Sequence, residues 1–429
     1  MFAIDAVTLT SGRDVQTRES RHDKAAMAGC WFIRRLERRR MPCAADPSLA
    51  FRPLHPRFGA LHLLIAATLA LGAAACSSSS DPNAAAAPPA KLAKNIVLFL
   101  GDGTGLATIH AASVHGHGKP QAFYIHSMPH MGLSDTSAVS TWNTDSAAGM
   151  TAIVTGQKTH VGVVSQGPAA KRGEVDGPPL KTILEYAEEH GLATGVVSNS
   201  PITDATPAAC YAHSNERDKW GEIFSQIADP RFGDGVDVVI GPGRERIRRE
   251  TAELGFDAAK ELPGRGYQFI EPAANLDAVG PDTKRLVALF ENEPQDFPLA
   301  AAVDKALSIL ESHPKGFFLM VESNNHYTDI KKSLDLMVQF DAIIEQTAER
   351  LKGTGTLIVF TADHSFDIHF PLAATKGEDI LPSMAVAGKH TAEEVLVLAQ
   401  GPGAERVKGF FPNTHLFEIM MSAYGWAPN

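Results

Sequence analysis

The stretch TWNTDSAAGMTAIVTGQKT, residues 141–159, sets Ser146 directly behind an acid and ahead of a run of small helix formers. A serine in the first turn of a helix faces free backbone N–H groups and the positive end of the helix dipole, an environment that favours a phosphate or an oxyanion. The same residues also read as an ordinary helix start, because Asp, Ser and Thr side chains satisfy those N–H groups themselves. Other polar positions bear on the choice. Asp102 follows NIVLFLG, Asp204 follows the run ATGVVSNS, Glu322 ends FFLMVE, and Asp363 with His364 ends LIVFTADH. Singly, each reads as a loop-capping carboxylate or a satisfied core histidine. Together they gather at the carboxyl ends of successive strands, where open α/β sheets bind ligands.

The elements that must position these residues follow from hydrophobic spacing. From Lys94 onward, short apolar runs (NIVLFLG, ATGVVSNS, VDVVIG, KGFFLMVE, TGTLIVFTADH, EEVLVLAQGPG) alternate with helical patterns such as AAAVDKALSILESH and KKSLDLMVQFDAIIEQTAERL. Near-continuous apolar strands separated by amphipathic helices predict an α/β fold, a largely parallel central sheet with helices on both faces. No internal repeat or coiled-coil heptad is present. The segment from RERIRRE to PDTKR, residues 244–285, is the least regular and reads as peripheral helices and loops. GQKT, Gly156–Thr159, lacks the order of a phosphate loop and reads as a helix end and turn.

The chain has 429 residues, 44% hydrophobic and 21% charged, which suffices for one large α/β core. Its first 75 residues differ: they are arginine-rich and end in LHLLIAATLALGAAAC, which reads as a secretory leader ending at Cys76. RRLERRRM is an unusual start for such a leader, and Met41 is an alternative translation start. Small residues before Cys76 resemble a bacterial lipobox, so Cys76 is expected to carry lipid and anchor the protein to a membrane. SSSSDPNAAAAPPAK then forms a flexible tether. Ser77 in place of an aspartate points to the outer membrane, with a soluble periplasmic form as the alternative. The expected organisation is a leader over 1–75, a lipidated cysteine and linker over 76–93, and a catalytic domain over 94–429. Without the leader the chain carries 28 basic and 43 acidic side chains, which argues against nucleic acid as a partner. Cys210 is then the one cysteine left in the domain, so a disulfide framework and cysteine-ligated zinc are excluded.

Seven motifs in order, NIVLFLGDGTG, TDSAAGMTAIVTGQKT, LATGVVSNSPITDATPAACYAH, DVVIGPGR, PKGFFLMVE, TADH and HTAEEVLVLAQGPGAE, resemble the alkaline phosphatases from about Asn95 to Gly425. The resemblance implies hydrolysis of phosphate monoesters through a phosphoserine, at a site with two zinc ions and one magnesium. Ser146 would be the nucleophile, and Asp102 would bridge a zinc and the magnesium. Asp363 and His364 would complete the serine-side zinc, Asp204 and Thr206 would ligate magnesium, and His390 would ligate the second zinc. Arg217, eleven residues beyond Thr206, falls where the family keeps an arginine that clamps phosphate. These types suit the chemistry. A serine hydroxyl becomes a competent nucleophile when zinc lowers its pKa, oxygen ligands suit magnesium, and a guanidinium binds two phosphate oxygens at once.

One stretch departs from the family. Most members place a DxxxH pair after the strand-end glutamate, whereas here VESNNHYTDIKKS contains none, since Asp329 is followed four places later by Ser333. Anchoring on the downstream helix makes Glu322 and His326 an ExxxH pair for the second zinc, the preferred expectation because a one-turn spacing lets two side chains meet one ion. Anchoring on the upstream strand leaves Glu322 with magnesium. Two other functions are compatible with the motifs: a phosphodiesterase on the same core, and a non-catalytic surface lipoprotein that binds metal or phosphate. A sulfatase is disfavoured by the absence of CxPxR, and a serine esterase because Ser146 lies outside GxSxG.

Overall fold

In the computed structural model, which describes residues 91–272, 276–291, 297–370 and 374–427, strand β1 (Asn95–Asp102) shows how the pattern becomes architecture. All eight of its residues are buried. Ile96, Leu98 and Leu100 face one core together with Phe318, Met320, Leu357 and Val359. Val97 and Phe99 face a second core with Leu319, Val321, Ile358 and Phe360. A strand covered on both faces has no polar side to present, so its run from Ile96 to Gly101 is apolar rather than alternating.

The remaining strands are β2 (His130–Asp135), β3 (Ala193–Ser198), β4 (Val238–Gly241), β5 (Gln268–Ile270), β6 (Leu286–Leu289), β7 (Phe317–Asn324), β8 (Thr356–Thr361), β9 (Ser365–His369), β10 (Ala385–Thr391), β11 (Val395–Gln400) and β12 (Gly409–Pro412). Ten of them form one sheet in the order β12-β2-β11-β8-β1-β7-β3-β4-β6-β5. Its pairs are parallel except where β11 meets β2 and β8. β9 and β10 make a separate antiparallel pair.

The helices are α1 (Leu106–His117), α2 (Ser146–Thr155), α3 (Ile183–Glu189), α4 (Ala205–Tyr211), α5 (Trp220–Ser225), α6 (Arg244–Glu253), α7 (Ala258–Gly264), α8 (Leu299–Leu310), α9 (Ile330–Arg350) and α10 (His415–Tyr424). α1, α8 and α9 pack into the second core, and the others into the first. The expected largely parallel sheet with helices on both faces is thus the observed one. The irregular segment differs from expectation: besides α6 and α7 it contributes β5, which with β6 extends the sheet to its edge. Such three- and four-residue strands are too short to show a period. The leader, Met41, Cys76 and the linker lie outside the described residues. Among the described residues no helix is long and apolar enough to cross a membrane.

One buried acid on α3 gives the fold a pH dependence. Burial pushes Glu188 up to about 8; the Gly235 N–H opposes this, and Glu185, Asp234 and Asp237 add to it. An acid whose folded pKa is raised stabilises the fold fully below its unfolded pKa, and that contribution is lost as pH rises through about 8. Stability is therefore expected to fall by up to a few kcal/mol between about pH 5 and pH 8 through this group. Glu188→Gln should flatten that fall, read as denaturant midpoint against pH; parallel curves for variant and wild type would exclude Glu188 as its source.

Candidate active site

The carboxyl ends of β1, β7 and β8 bring the central residues together. β1 delivers Asp102, 1% exposed, and the turn behind it needs Gly103 at φ +67°, where a Cβ would stand 2.4 Å from the Cβ of His326. β8 ends two residues before Asp363 and His364, both fully buried. Across from them α2 begins at Ser146, capped by Asp145, whose carboxylate accepts from the Ala148 N–H at 3.1 Å. The cap and the candidate nucleophile are therefore neighbouring residues with separate roles. α2 approaches closely because residue 149 is glycine: a Cβ there would lie 2.8 Å from the Asp363 carbonyl oxygen.

The distances around Ser146 are informative. Its Oγ lies 3.3 Å from Asp102 Oδ2 and 3.4 Å from His364 Nε2. His364 Nε2 is 3.3 Å from Asp102 Oδ1 and 3.4 Å from Asp363 Oδ2. His364 Nδ1 lies 3.1 Å from the Ser365 carbonyl, an acceptor only, so Nδ1–H donates there and Nε2 is the nitrogen turned to Ser146, Asp102 and Asp363. Ligands at ~2.0–2.1 Å around a tetrahedral zinc are about 3.3–3.4 Å apart, which is the spacing observed. Asp102, Asp363 and His364 form a group whose donor atoms all lie within 4.8 Å of one another. Asp102 Oδ1 and Asp363 Oδ2 are buried without a hydrogen-bond partner.

A second set of oxygens lies on the β3 side. Glu322, fully buried in β7, accepts from the Ser198 hydroxyl through Oε2, while its Oε1 has no partner. Burial and then Asp102, with Asp204 and Asp363 adding, hold its carboxyl well above the usual range. Thr206, in the first turn of α4, has a buried Oγ1 without a partner, and Asp204 caps that helix through the Ala205 N–H. Arg217 ties the two helix starts together, donating to Asp145 Oδ2 at 3.0 Å and Asp204 Oδ1 at 2.7 Å.

The imidazoles complete the cleft. His326 Nδ1 is 3.1 Å from Asp102 Oδ1 without hydrogen-bond geometry. Burial alone would lower the pKa of His326, but Asp102 and Asp363 outweigh it and hold it up at about 9. Burial would raise Asp102, and the surrounding His326, His364 and His390 hold it well below the usual range instead. Burial and Asp102 push Asp363 up to about 6. His390 comes from β10; its Nδ1 donates to the Thr144 carbonyl at 2.9 Å and its ring stacks on His364 at 3.6 Å between centroids. A histidine fixed through one nitrogen by a carbonyl is arranged to offer the other to a metal.

The ExxxH premise fails here. Four residues span one turn only in a helix, but Glu322 is in strand β7, which runs on to Asn324. At ~3.3 Å per residue the two side chains part company. Glu322 faces Ser198 with Asp102 and Asp204 near, whereas His326 lies against Asp102 and the rings of His364 and His390. Three contributors escaped the sequence reading: Thr144 and Ser365 act through backbone carbonyls, which no residue type announces, and Ser198 is one serine among several.

Residues 93–389 match the family model for alkaline phosphatase. The chain belongs to the alkaline phosphatase family. It is 30% identical to the alkaline phosphatase of Escherichia coli strain K12, covering 78% of this chain and 87% of that protein. It is 28% identical to alkaline phosphatase 4 of Drosophila melanogaster, where the match covers 73% of this chain and only 63% of the relative's length. The structure of alkaline phosphatase from the Antarctic bacterium TAB5 shares the fold, with a TM-score of 0.69 at 24% identity over 79% of this chain and all of that one. A mutant of that enzyme with magnesium bound in its M3 site matches at 25% identity over 79% of this chain and all of that one, with a TM-score of 0.66. Membership in the alkaline phosphatase family supports phosphoester hydrolysis as the reaction class and a metal-dependent site.

Proposed function

We propose that this alkaline phosphatase relative hydrolyses phosphate monoesters through a phosphoserine on Ser146. The observation that carries the reading is the convergence of Ser146 Oγ, His364 Nε2 and the carboxylates of Asp102 and Asp363 in contacts of 3.3–3.4 Å. The converging donors of Asp102, Asp363 and His364, with Ser146 beside them, fit a zinc ion, and Asp204, Thr206 and Glu322 carry the oxygen donors that suit magnesium. Glu322 is thereby assigned to the magnesium side and His326, with His390, to a second zinc position. Bound there, the ions supply a lowered serine pKa and neutralise phosphate charge.

The residues of the chain then do the rest. Ser146 Oγ attacks phosphorus as the bond to the leaving-group oxygen breaks, giving the phosphoserine and a free alcohol. Water attacks the same phosphorus in turn, the Oγ–P bond breaks, and inorganic phosphate leaves. The start of α2 at Ser146 offers a phosphoryl group the positive end of the helix dipole. Arg217, held by Asp145 and Asp204, has N–H groups left over for two of those oxygens.

Kinetics on a panel of phosphate monoesters and diesters test the reading, with monoesters expected to turn over faster. Arg217→Ala should raise KM and weaken inhibition by inorganic phosphate while ion content holds. A preference for diesters, or unchanged phosphate inhibition in the variant, would count against the monoesterase reading or the clamp respectively. We also propose export with a lipid anchor on Cys76, so that the protein works at the outer membrane or in the periplasm; mass spectrometry of the mature amino terminus should show a lipidated cysteine, and an unmodified terminus elsewhere would exclude the anchor.

A further inference from the structure

Arg217 reaches the cleft from a short two-segment ladder, outside any helix or strand of the sheet. Its N–H donates to the Gly162 carbonyl at 2.9 Å, and Val164 and Ser214 exchange N–H···O bonds of 2.8 and 2.9 Å. The Gly162 N–H in turn donates to Asp145 Oδ2, the oxygen that Arg217 also holds. Beyond Ser214 a side chain closes the ladder: His213 Nδ1 lies 2.7 Å from the Ser165 carbonyl, which it shares with the Leu180 N–H. His213 Nε2 lies 2.8 Å from Glu185 Oε1, and both side chains are buried. Glu185 is fixed on its far side by the Thr182 N–H, in the capping box that starts α3. Ser165, which His213 grips, joins the two helices that carry the site. Its N–H donates to Thr151 Oγ1 of α2 at 2.9 Å and its hydroxyl to the Ala209 carbonyl of α4 at 2.6 Å. It does so at φ +42°, a left-handed conformation that costs a residue with a Cβ and persists only where the surroundings impose it.

We infer that His213, steadied by Glu185, is a positioning residue for Arg217, and so sets how tightly the cleft holds a phosphoryl group. A buried pair of this kind seldom repays its desolvation in stability, and its best-attested use is to fix one register among several. Here the register is that of residues 213–217 against 162–165. Four residues on from His213, the guanidinium must meet Asp145 and Asp204 at once. A displacement of about 1 Å in a group that orients substrate can cost on the order of a hundredfold. An imidazole presents ring nitrogens on two edges, whereas an amide side chain in its place reaches one partner and leaves the other. The inference rests on the reading of Arg217 as the phosphate clamp.

Inhibition by inorganic phosphate tests it, in a double-mutant cycle of His213→Gln with Arg217→Ala. With Arg217 present, His213→Gln should raise the inhibition constant, and KM for a phosphate monoester, about tenfold or more, while saturated turnover changes less and metal per chain holds. On Arg217→Ala it should add less than about twofold, because a residue that acts through Arg217 has nothing left to position. Glu185→Gln keeps an acceptor for Nε2 and should shift both constants the same way by less, again only while Arg217 is present; should His213→Gln fail to fold, this second cycle decides by the same criterion. Equal effects in both backgrounds, or a loss that falls on saturated turnover and metal content instead, would overturn the inference. If Arg217→Ala itself leaves phosphate inhibition unchanged, the clamp reading fails and the inference with it, whereas a strong Arg217→Ala effect beside silent His213 and Glu185 variants sinks the inference alone.

Discussion

Ser146→Ala is expected to lower phosphate monoester turnover about a thousandfold or more while leaving fold and metal content largely in place. The change deletes one oxygen, and nothing charged. Helix α2 keeps its start because the cap is Asp145, which holds the Ala148 N–H, the Gly162 N–H and Arg217 independently of the serine. Asp102, Asp363 and His364 do not depend on the serine for their placement, so an ion held there would lose one donor of four. Stopped-flow assays alongside zinc analysis check both halves. Turnover within tenfold of wild type would remove Ser146 from the chemistry and leave it as part of a helix start.

The second large effect is expected at Asp363. Its Oδ1 accepts from the N–H groups of Gly103 and His364 at 3.3 and 3.0 Å, while Oδ2 faces His364 Nε2 without a hydrogen bond. Asp363→Asn keeps an oxygen for the two backbone donors and replaces the charged Oδ2 by a neutral amide that cannot ligate as a carboxylate does. Zinc binding should weaken by more than about a hundredfold, beyond the 10- to 100-fold effect of outer-shell changes, and turnover at limiting zinc should fall with it. Calorimetric zinc titration of the variant against wild type measures this, and unchanged affinity would show that the close-packed oxygens and nitrogen serve some other cation. The chelated forms of the two proteins should unfold at similar temperatures, which separates lost ligation from lost folding.

The sequence by itself carried the strands, because a strand buried on both faces is apolar along its middle, as β1, β7 and β8 are between polar residues at one or both ends. It carried also the polar residues that end them, since the chemistry of a residue type does not depend on its neighbours. Partnership was decided by tertiary structure. Glu322 and His326 read as a pair through a spacing that works only on a helix, and the chain there is extended, so one carboxylate meets Ser198 across β3 and the imidazole meets Asp102 across β1. His390 reaches the cleft from 26 residues beyond His364 on the β9–β10 pair, and Thr144, far off in sequence, orients it through a carbonyl. Arg217 lies 72 residues from Asp145, yet joins it to Asp204. Such contacts depend on which strands lie side by side and which helix starts face them, and no local pattern encodes either, because the packing energy that selects them is summed over the whole core.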